Sequence, residues 1–308
     1  MRRGPRPSGG GVNTSGKGLV ALALLVSCSR IDVPRPVVAV SPSPKLVRIA
    51  AAGDIADCKL ESDEQTSSLL DGFDGQILLL GDTVYEVGTL ANFKACFEPT
   101  WGRHLSKIRP APGNHEYGDR GAEGYFQYFG AAAGSTRLGY YSFDVEDWHL
   151  ISLNSNCHQV ACGEGSEQLE WLKEDLAQHR TTCTLAYWHH PRFSSGLHGS
   201  DLEMAAIWNA LYAARADIAL SGHDHSYERF TRLGPNGEPD SNGIRQFVTG
   251  TGGRTLYPIL GSLTGSEAKD HSTFGVLFLT LKPTSYQWTF TPASPGTFTD
   301  SGEDSCVV

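Results

Sequence analysis

Five strand-like runs of the sequence end in turns that carry potential metal ligands, and this feature limits the fold more than any other. Each run is apolar, and the residues after it include carboxylates, a phenol, an amide or imidazoles. Buried runs that alternate with helix-like segments are typical of an α/β protein. Because sites in open α/β sheets gather outside the carboxyl ends of the strands, these side chains can converge although they span residues 54 to 225. The five stretches are VRIAAA before Gly53-Asp54, ILLL before Gly81-Asp82-Thr83-Val84-Tyr85, IRPAP before Gly113-Asn114-His115-Glu116, CTLAYW before His189-His190-Pro191, and IALS before Gly222-His223-Asp224-His225.

The number and type of these side chains indicate two metal ions. One ion needs only about four to six of them, whereas seven fit two ions that share a bridging carboxylate. Two-metal sites hold their ions about 3.5–4 Å apart and suit in-line displacement at phosphorus. The candidates are Asp54, Asp82, Tyr85, Asn114, one of the adjacent pair His189 and His190, His223 and His225.

The rest of the chain after residue 46 continues the alternation of strands and helices. Leucines spaced by three and four predict a helix over Ser166–His179, and a similar pattern predicts one over Leu202–Arg215. Asn92–Leu105 is a less regular helix that Pro99 interrupts. Further strands are predicted over Tyr140–Leu153, Arg245–Gly250, Phe274–Leu281 and Tyr286–Phe290, and residues 297–308 read as a tail held by Cys306. We therefore expect one catalytic domain over residues 47–308.

The N-terminal part has the pattern of an export signal. Four basic residues precede the eight-residue apolar run Leu19–Val26, which is too short to span a bilayer but suits the core of a signal peptide. Residues 25–28, LVSC, resemble a bacterial lipobox, in which Cys28 would be lipidated; the alternative is an ordinary cleaved signal in which Cys28 is incidental. Prolines over residues 28–46 indicate an extended tether. We predict a signal peptide over residues 1–27 and an extracytoplasmic protein, secreted, periplasmic or lipid-anchored at Cys28 of a bacterial membrane.

The cysteines are consistent with an oxidising compartment. Without Cys28 there are six, an even number that suits three disulfide bonds. Six cysteines allow 15 pairings. We predict Cys157–Cys162, which closes a small loop, together with Cys58–Cys96 and Cys183–Cys306.

The charge of the chain argues against a nucleic acid partner. The formal net charge is -9, and residues 1–27 contribute four positive and no negative charges. An acidic surface repels a polyanion. An anionic substrate would therefore need a local cationic centre, which bound metals supply.

The motif series resembles the calcineurin-like metallophosphoesterases, most of all their purple acid phosphatase branch. The resemblance covers roughly residues 47–292. The first motif, Asp54-Ile55-Ala56, lacks the histidine that many members of the superfamily have, and Tyr85 stands where purple acid phosphatases have a ligand tyrosine. The resemblance implies a four-layer αββα sandwich of two mixed β-sheets flanked by helices, with a dinuclear metal site at the carboxyl ends of the strands. The large members carry a preceding β-sandwich domain, and we expect a short form with the catalytic domain alone.

The resemblance also implies which residues hold each metal. One ion, Fe(III), is expected at the Tyr85 site because a phenolate is a hard anionic ligand, and a divalent ion (Fe, Zn or Mn) at the other. The family pattern His-x-Pro selects His189 over His190. The implied ligands are Asp54, Asp82, Tyr85 and His225 for the first ion, and Asp82, Asn114, His189 and His223 for the second.

The implied reaction is hydrolysis of a phosphomonoester by in-line attack of a metal-bound hydroxide. Asp82 bridges the metals, and His115 or His198 donates a proton to the leaving alkoxide. Family members often have a further histidine where this chain has Gly199, which leaves the donor and the acid pH optimum open. Glu116 is expected to orient His115, and Asp224 to orient its two neighbours. The predicted substrate-binding residues are Asn114, His115, His190 and His198.

Two other functions stay open at this stage. A phosphodiesterase acting on cyclic nucleotides or phospholipid head groups would use the same ligands, because the motifs do not describe the pocket walls. A non-catalytic binding protein could keep the fold, although the complete ligand set argues against it. We expect residues 118–134 and 234–243 to form the rim of the pocket. The remaining histidines are read as surface or packing residues, namely His104, His149, His158, His179 and His271.

Overall fold

The computed structural model describes residues 46–179, 183–295 and 298–307, together with Ala23. Its contacts divide the chain into residues 1–42 and residues 43–308. Everything described below belongs to the second part. The predicted signal peptide apart from Ala23, the lipobox cysteine Cys28 and the tether up to residue 45 lie outside the described residues.

The described residues form thirteen strands and five α-helices, together with short 3-10 and π helices. None of these helices is both long and apolar enough to cross a membrane. The strands are β1 (Val47–Ala52), β2 (Gln76–Leu80), β3 (Ile108–Ala111), β4 (Tyr141–Val145), β5 (Trp148–Ser152), β6 (Cys183–Tyr187), β7 (Ile218–Ser221), β8 (Tyr227–Leu233), β9 (Ile244–Thr249), β10 (Ser266–Asp270), β11 (Gly275–Lys282), β12 (Ser285–Pro292) and β13 (Asp300–Ser305). The helices are α1 (Ser62–Ser68), α2 (Leu90–Asn92), α3 (Glu123–Phe129), α4 (Glu167–Gln178) and α5 (Ala205–Ala213).

The strands form two mixed sheets. The first has six strands in the order β13-β12-β11-β1-β2-β3, and the second has seven in the order β10-β8-β9-β7-β6-β5-β4. Strands β1, β2 and β3 are parallel to one another, as are β5, β6, β7 and β9. The other pairings are antiparallel. The carboxyl ends of the parallel strands are the points from which the candidate ligands emerge.

Alternation along the strands separates the core into layers. Leu78 and Leu80 of β2 lie in an apolar cluster that both sheets share, together with Leu185 of β6. Leu79 faces the opposite way and packs with the helices and turns of residues 55–133. Ala186 of β6 likewise faces α4 and α5. Helices, sheet, sheet and helices therefore form four layers, and the predicted fold is confirmed.

The structure differs locally from the sequence prediction in several places. The predicted strand Tyr140–Leu153 is a hairpin of β4 and β5, which turns at Glu146, a residue with φ 52°. The irregular helix predicted over Asn92–Leu105 breaks between Phe97 and Trp101, around Pro99. The C-terminal tail includes the edge strand β13, because its backbone pairs with β12.

All three predicted disulfide bonds are present. Cys58 pairs with Cys96, Cys157 with Cys162, and Cys183 with Cys306, with Cα–Cα distances of 4.8, 5.1 and 5.6 Å. The last bond joins β6 to the end of the tail, as the sequence indicated for Cys306.

Candidate metal centre

The loops that carry the candidate ligands have an unusual backbone. Asp54, Asp82 and His223 have φ values of 60°, 47° and 69°. Residues other than glycine seldom adopt this left-handed region, and they do so mostly where the surrounding structure forces it at functional sites. A Cβ atom on Gly113 would lie 2.2 Å from Oδ1 of Asp82. The glycine therefore allows the β3 loop to approach the carboxylate that ends β2.

One group of ligands surrounds the phenol of Tyr85. Its hydroxyl lies 2.8 Å from Asp54 Oδ1, 3.2 Å from Asp82 Oδ2 and 3.1 Å from His225 Nε2. His225 Nε2 is in turn 3.2 Å from Asp54 Oδ1. These four side chains are buried. The structure therefore brings together the four residues predicted for the first ion.

A second group surrounds the imidazole of His189. Its Nε2 atom lies 3.2 Å from Asp82 Oδ2, 3.1 Å from Asn114 Oδ1 and 3.2 Å from His223 Nδ1. Asp82 Oδ2 thus belongs to both groups. This arrangement places Asp82 where the sequence prediction requires a bridging carboxylate.

Backbone contacts fix the orientation of two imidazoles. Nδ1 of His189 lies 2.8 Å from the carbonyl oxygen of Leu80, and Nδ1 of His225 lies 2.6 Å from that of Thr255. Each contact requires a proton on Nδ1. In the neutral ring, Nε2 then presents a lone pair to the cluster, which is the arrangement found in histidines that bind metals.

The electrostatics of the cluster also favour cations. Asp54 and Asp82 are buried side by side, an arrangement that costs free energy unless positive charge compensates it. Burial opposes protonation of His189, but the charge of Asp82 raises its pKa to about 9. Burial and the charges of Asp54 and Asp82 raise the pKa of Tyr85 well above its usual range. A bound cation would reverse both effects, so oxygen and nitrogen donors of this kind fit two hard or borderline metal ions.

Glu116 has a different role from the predicted one. Its carboxylate accepts hydrogen bonds from the backbone N–H groups of Asp82, Thr83 and Gly113, at 2.9, 2.8 and 2.6 Å. His115 is instead oriented by the carbonyl oxygen of Glu86, 2.6 Å from its Nδ1 atom. Glu116 therefore joins the loops after β2 and β3. Burial and the charge of Asp82 raise its pKa to about 7.

The histidines predicted to face the substrate lie around the ligand groups. Nε2 of His115 is 3.9 Å from Asp82 Oδ2, and the ring centroid of His115 is 4.3 Å from that of Tyr85. The exposed ring of His198 lies 4.4 Å from that of His223. Both reach the edge of the cluster, His115 on the Tyr85 side and His198 on the His223 side.

His190 lies closer to the ligands than the sequence prediction required. Its ring nitrogens come within 4.8 Å of those of His189 and His223, and its Nδ1 atom is 2.8 Å from the hydroxyl of Ser155. Burial and the charge of His189 lower its pKa to about 3. His190 is therefore a neutral imidazole beside the second ligand group.

Asp224 contacts the loop of His198 and not, as predicted, the imidazoles of its two neighbours. Its carboxylate accepts hydrogen bonds from the hydroxyl of Ser194 and, at 2.8 Å, from the backbone N–H of His198. One buried carboxylate therefore joins the turn after β7 to the loop after His189.

The sequence prediction missed two residues of the loop after β9. The ring of Tyr257 stacks on that of His225, with centroids 4.0 Å apart and an interplanar angle of 10°. The guanidinium of Arg254 lies 4.7 Å from the ring centroid of Tyr85 and pairs with Asp57 and Glu86. The sequence TGTGGR could have indicated that this loop reaches the site, because it is a sixth glycine-rich end of a predicted strand.

A cavity of about 440 Å³ opens next to the second ligand group. Asn114, Ser155 and His190 form its inner part, and Gly118 contributes from the predicted rim loop. The other predicted rim loop, residues 234–243, lies elsewhere and lines a separate cavity. The smaller cavity has a suitable size for the body of a small substrate.

The chain is similar in sequence to known phosphoesterases. Residues 47–227, more than half of the chain, match the model of the calcineurin-like phosphoesterase family. Purple acid phosphatase 15 of Arabidopsis thaliana is 30% identical over 250 residues, which are 69% of this chain and 46% of that protein.

Solved structures show the same fold. The purple acid phosphatase from yellow lupin (Lupinus luteus) seeds superposes with a TM-score of 0.63 at 19% identity, over 85% of this chain and 54% of that one. GAP50, the anchor in the inner membrane complex of Plasmodium, gives a TM-score of 0.63 at 15% identity, over 83% of this chain and 88% of that one. The chain spans about half the length of the plant enzymes named here. The chain belongs to the calcineurin-like phosphoesterase family and, within it, is most similar to the purple acid phosphatases.

Proposed function

We propose that the chain is a metal-dependent phosphatase that hydrolyses phosphomonoesters at a dinuclear centre. The observation that carries this proposal is the shared position of Asp82 Oδ2, 3.2 Å from both the Tyr85 hydroxyl and His189 Nε2. Two ligand groups joined by one carboxylate are what a pair of neighbouring ions requires. The family membership supports the reaction class.

The donor sets support different ions in the two positions. Tyr85 with two carboxylates is a hard anionic set suited to Fe(III), whereas His189, His223 and Asn114 suit a divalent Fe, Zn or Mn ion. When bound, such ions polarise the phosphoryl group and lower the pKa of water, which supplies the nucleophile at modest pH.

The chain's own side chains would bind the ester and move protons. Asn114 and His190 line the cavity and can hold phosphate oxygens or the body of the substrate. His115 is held by Glu86, and we assign it the transfer of a proton to the departing alkoxide. His198 is exposed and assigned to substrate binding.

The direct test compares monoesters with diesters on the metal-containing protein. We expect kcat/KM for p-nitrophenyl phosphate to exceed that for bis-p-nitrophenyl phosphate by at least tenfold. A preference for the diester, or for cyclic nucleotides or glycerophosphodiesters, would replace the monoesterase by a phosphodiesterase with the same centre.

A binding protein is the second candidate, because GAP50 has a similar fold and is described as an anchor. Absence of turnover on both ester classes, with the metals counted and present, would favour it. The convergence of the seven donors in this structure is the reason that we place the enzyme first.

We also propose an extracytoplasmic location. Three disulfide bonds support an oxidising compartment. Lipid attachment at Cys28 would be tested by fatty-acid labelling of the full chain and of Cys28→Ser. Label in the wild type alone supports the anchor, and equal or absent label in both contradicts it.

A further inference from the structure

The loop from His189 to Glu203 separates two cavities. Asp201 and Glu203 face the cavity next to the ligand groups, whereas Ser200 and Leu202 face another of about 570 Å³. None of the seven candidate metal ligands lines this second cavity. We call it the Arg192 cavity, after a side chain in its wall.

Arg192 is buried and forms no ion pair among the described residues, and the carboxylate of Asp201 acts on it only from beyond ion-pairing distance. Arg192 as a whole residue is 8% exposed. No Asp or Glu oxygen of the described residues lies within ion-pairing distance of its guanidinium. Its Nε atom is buried without a hydrogen-bond acceptor, and one terminal nitrogen reaches only the carbonyl oxygen of Pro235, at 3.5 Å. The guanidinium stacks on the ring of Phe193, 4.4 Å from its centroid.

Arg245 shows how the same chain accommodates another arginine of similarly low exposure. Arg245 is 9% exposed and pairs with Asp304 and Glu267, each at 3.0 Å, and also donates to the carbonyl oxygen of Phe230. A buried guanidinium without such partners costs free energy. An anion in the cavity would give Arg192 the negative charge and the hydrogen-bond acceptors that Asp304 and Glu267 give Arg245.

The walls define the rest of the ligand. They are largely apolar, and Arg192 is the only cation among the described residues that line the cavity. Glu238 at the exposed rim adds a negative charge, which disfavours a dianion such as a phosphate monoester. A singly charged, planar carboxylate matches the fork of one guanidinium. The apolar wall is formed by Phe230, Leu233 and Leu263.

We propose that the Arg192 cavity binds a small amphipathic carboxylate, with its head group on Arg192 and its apolar body against Phe230, Leu233 and Leu263. This site is separate from the proposed phosphatase centre. Binding at it requires neither metal chemistry nor turnover.

The first test is calorimetric titration of the metal-containing, full chain with octanoate. Inorganic phosphate is present at a saturating concentration to occupy the metal centre. We expect one octanoate per chain, and at least tenfold weaker binding of octanamide and octylammonium, which have the same tail without the anion. Equal binding of octanamide, displacement of octanoate by phosphate, or no binding at millimolar octanoate would each overturn the proposal.

Variants then locate the site. Arg192→Gln should weaken octanoate binding at least tenfold, and Arg192→Lys should weaken it less. The matched control is Arg48→Gln, because Arg48 also stacks on a phenylalanine, Phe73, beside a cavity but is solvent-exposed. Unchanged binding in Arg192→Gln, or equal loss in Arg48→Gln, would place the ligand elsewhere.

A variant at the mouth of the Arg192 cavity keeps the proposal testable if the Arg192 variants misfold. Leu202 is 73% exposed at the cavity, so Leu202→Trp can obstruct it without disturbing the core. We expect loss of octanoate binding with an unchanged rate on p-nitrophenyl phosphate. Retained octanoate binding in this variant would contradict the proposal even if the phosphatase assignment holds.

Discussion

At the scale of single residues, Asp82 is the side chain on which both ligand groups depend. Its Oδ2 atom contacts Tyr85 and His189, and its Oδ1 atom accepts a hydrogen bond from the backbone of His115 at 2.8 Å. The loops of three strands therefore meet on one carboxylate. Removing its charge should affect both metal positions together.

We expect Asp82→Asn to lower kcat/KM on p-nitrophenyl phosphate by about 10³-fold or more, since each ion contributes several kcal/mol to the transition state. Metal content per chain should fall as well. The measurement is steady-state kinetics with elemental analysis. Asp74→Asn is the matched control, because Asp74 is exposed outside the cluster. Full activity in Asp82→Asn would remove the proposed site.

The two candidate proton donors should separate in kinetics. His115→Gln should lower kcat on alkyl phosphates by about 10²-fold or more and on p-nitrophenyl phosphate much less, because nitrophenolate leaves without a proton. His198→Gln should mainly raise KM for both substrates, since its ring is exposed beside His223. The reverse pattern would make His198 the donor.

The residues that lie together in the two groups could be selected from the sequence because their chemistry is local to each strand end. Glycine, a carboxylate and a histidine after an apolar run are visible in the letters, and the resemblance selected Tyr85 and His189. Tyr257 was not predictable, since an aromatic residue in a long loop acquires its role only through stacking on His225. Glu116 was misread because its partners are backbone N–H groups, which leave no sequence pattern.

At the scale of elements, His149 joins the β4–β5 hairpin to α4. The side chain is buried, and its two ring nitrogens each lie 2.7 Å from a carboxylate, Asp144 on β4 and Asp175 on α4. Its ring also stacks on His179, at 4.4 Å. The sequence prediction treated His149 as an ordinary packing or surface residue, whereas it is buried between two carboxylates with which its protonated form makes an ion pair.

This ion pair should make stability depend on pH. Burial lowers the pKa of His149, but hydrogen bonds to Asp175 and Asp144 outweigh it and raise the pKa above the usual value. The contribution is therefore complete below the unfolded pKa of about 6.5 and is lost as pH rises through the folded pKa.

The measurement is urea unfolding of the wild type and His149→Asn across this range. The difference in the free energy of unfolding should be larger at pH 6 than at pH 9, by on the order of 1–2 kcal/mol. His271→Asn, at an exposed histidine, is the control and should show no such trend. A difference that stays constant from pH 6 to pH 9 would rule out a charged His149.

Helices α4 and α5 and most of the buried strands were predictable from periodicity, whereas the edge strands β10 and β13 and the inner strand β8 were not. β10 and β13 have the sequences SEAKD and DSGEDS, which lack an apolar alternation. Their structure comes from backbone pairing with β8 and β12, a contact distant in sequence. Local propensity therefore carried no signal for them.

At the scale of the whole molecule, β13 connects the two sheets. It extends the first sheet, while its Asp300 and Asp304 pair with Arg229 and Arg232 of the second. Cys306, one residue beyond β13, is bonded to Cys183 of β6. The resemblance predicted two packed sheets. The connection that the tail makes between them depends on long-range ion pairs, which no sequence pattern indicates.

Two of the three disulfide bonds close loops of very different length, and we expect them to contribute differently to the free energy of unfolding. Cys183 and Cys306 are 123 residues apart, and Cys157 and Cys162 are 5 apart. Loop-closure entropy gives about 5 kcal/mol for the first and about 2 kcal/mol for the second. We expect the Cys183→Ser/Cys306→Ser double variant to lose more unfolding free energy in urea than Cys157→Ser/Cys162→Ser. The opposite order would show that β13 does not hold the sheets together.

We propose a dinuclear metal centre in which Tyr85 binds Fe(III). The most direct measurement is the visible absorption spectrum of the protein purified in air, with its metals counted, for the wild type and Tyr85→Phe. We expect two metals per chain, iron among them, and a broad charge-transfer band that Tyr85→Phe abolishes. A colourless wild type without iron, or a band that survives in Tyr85→Phe, would contradict it.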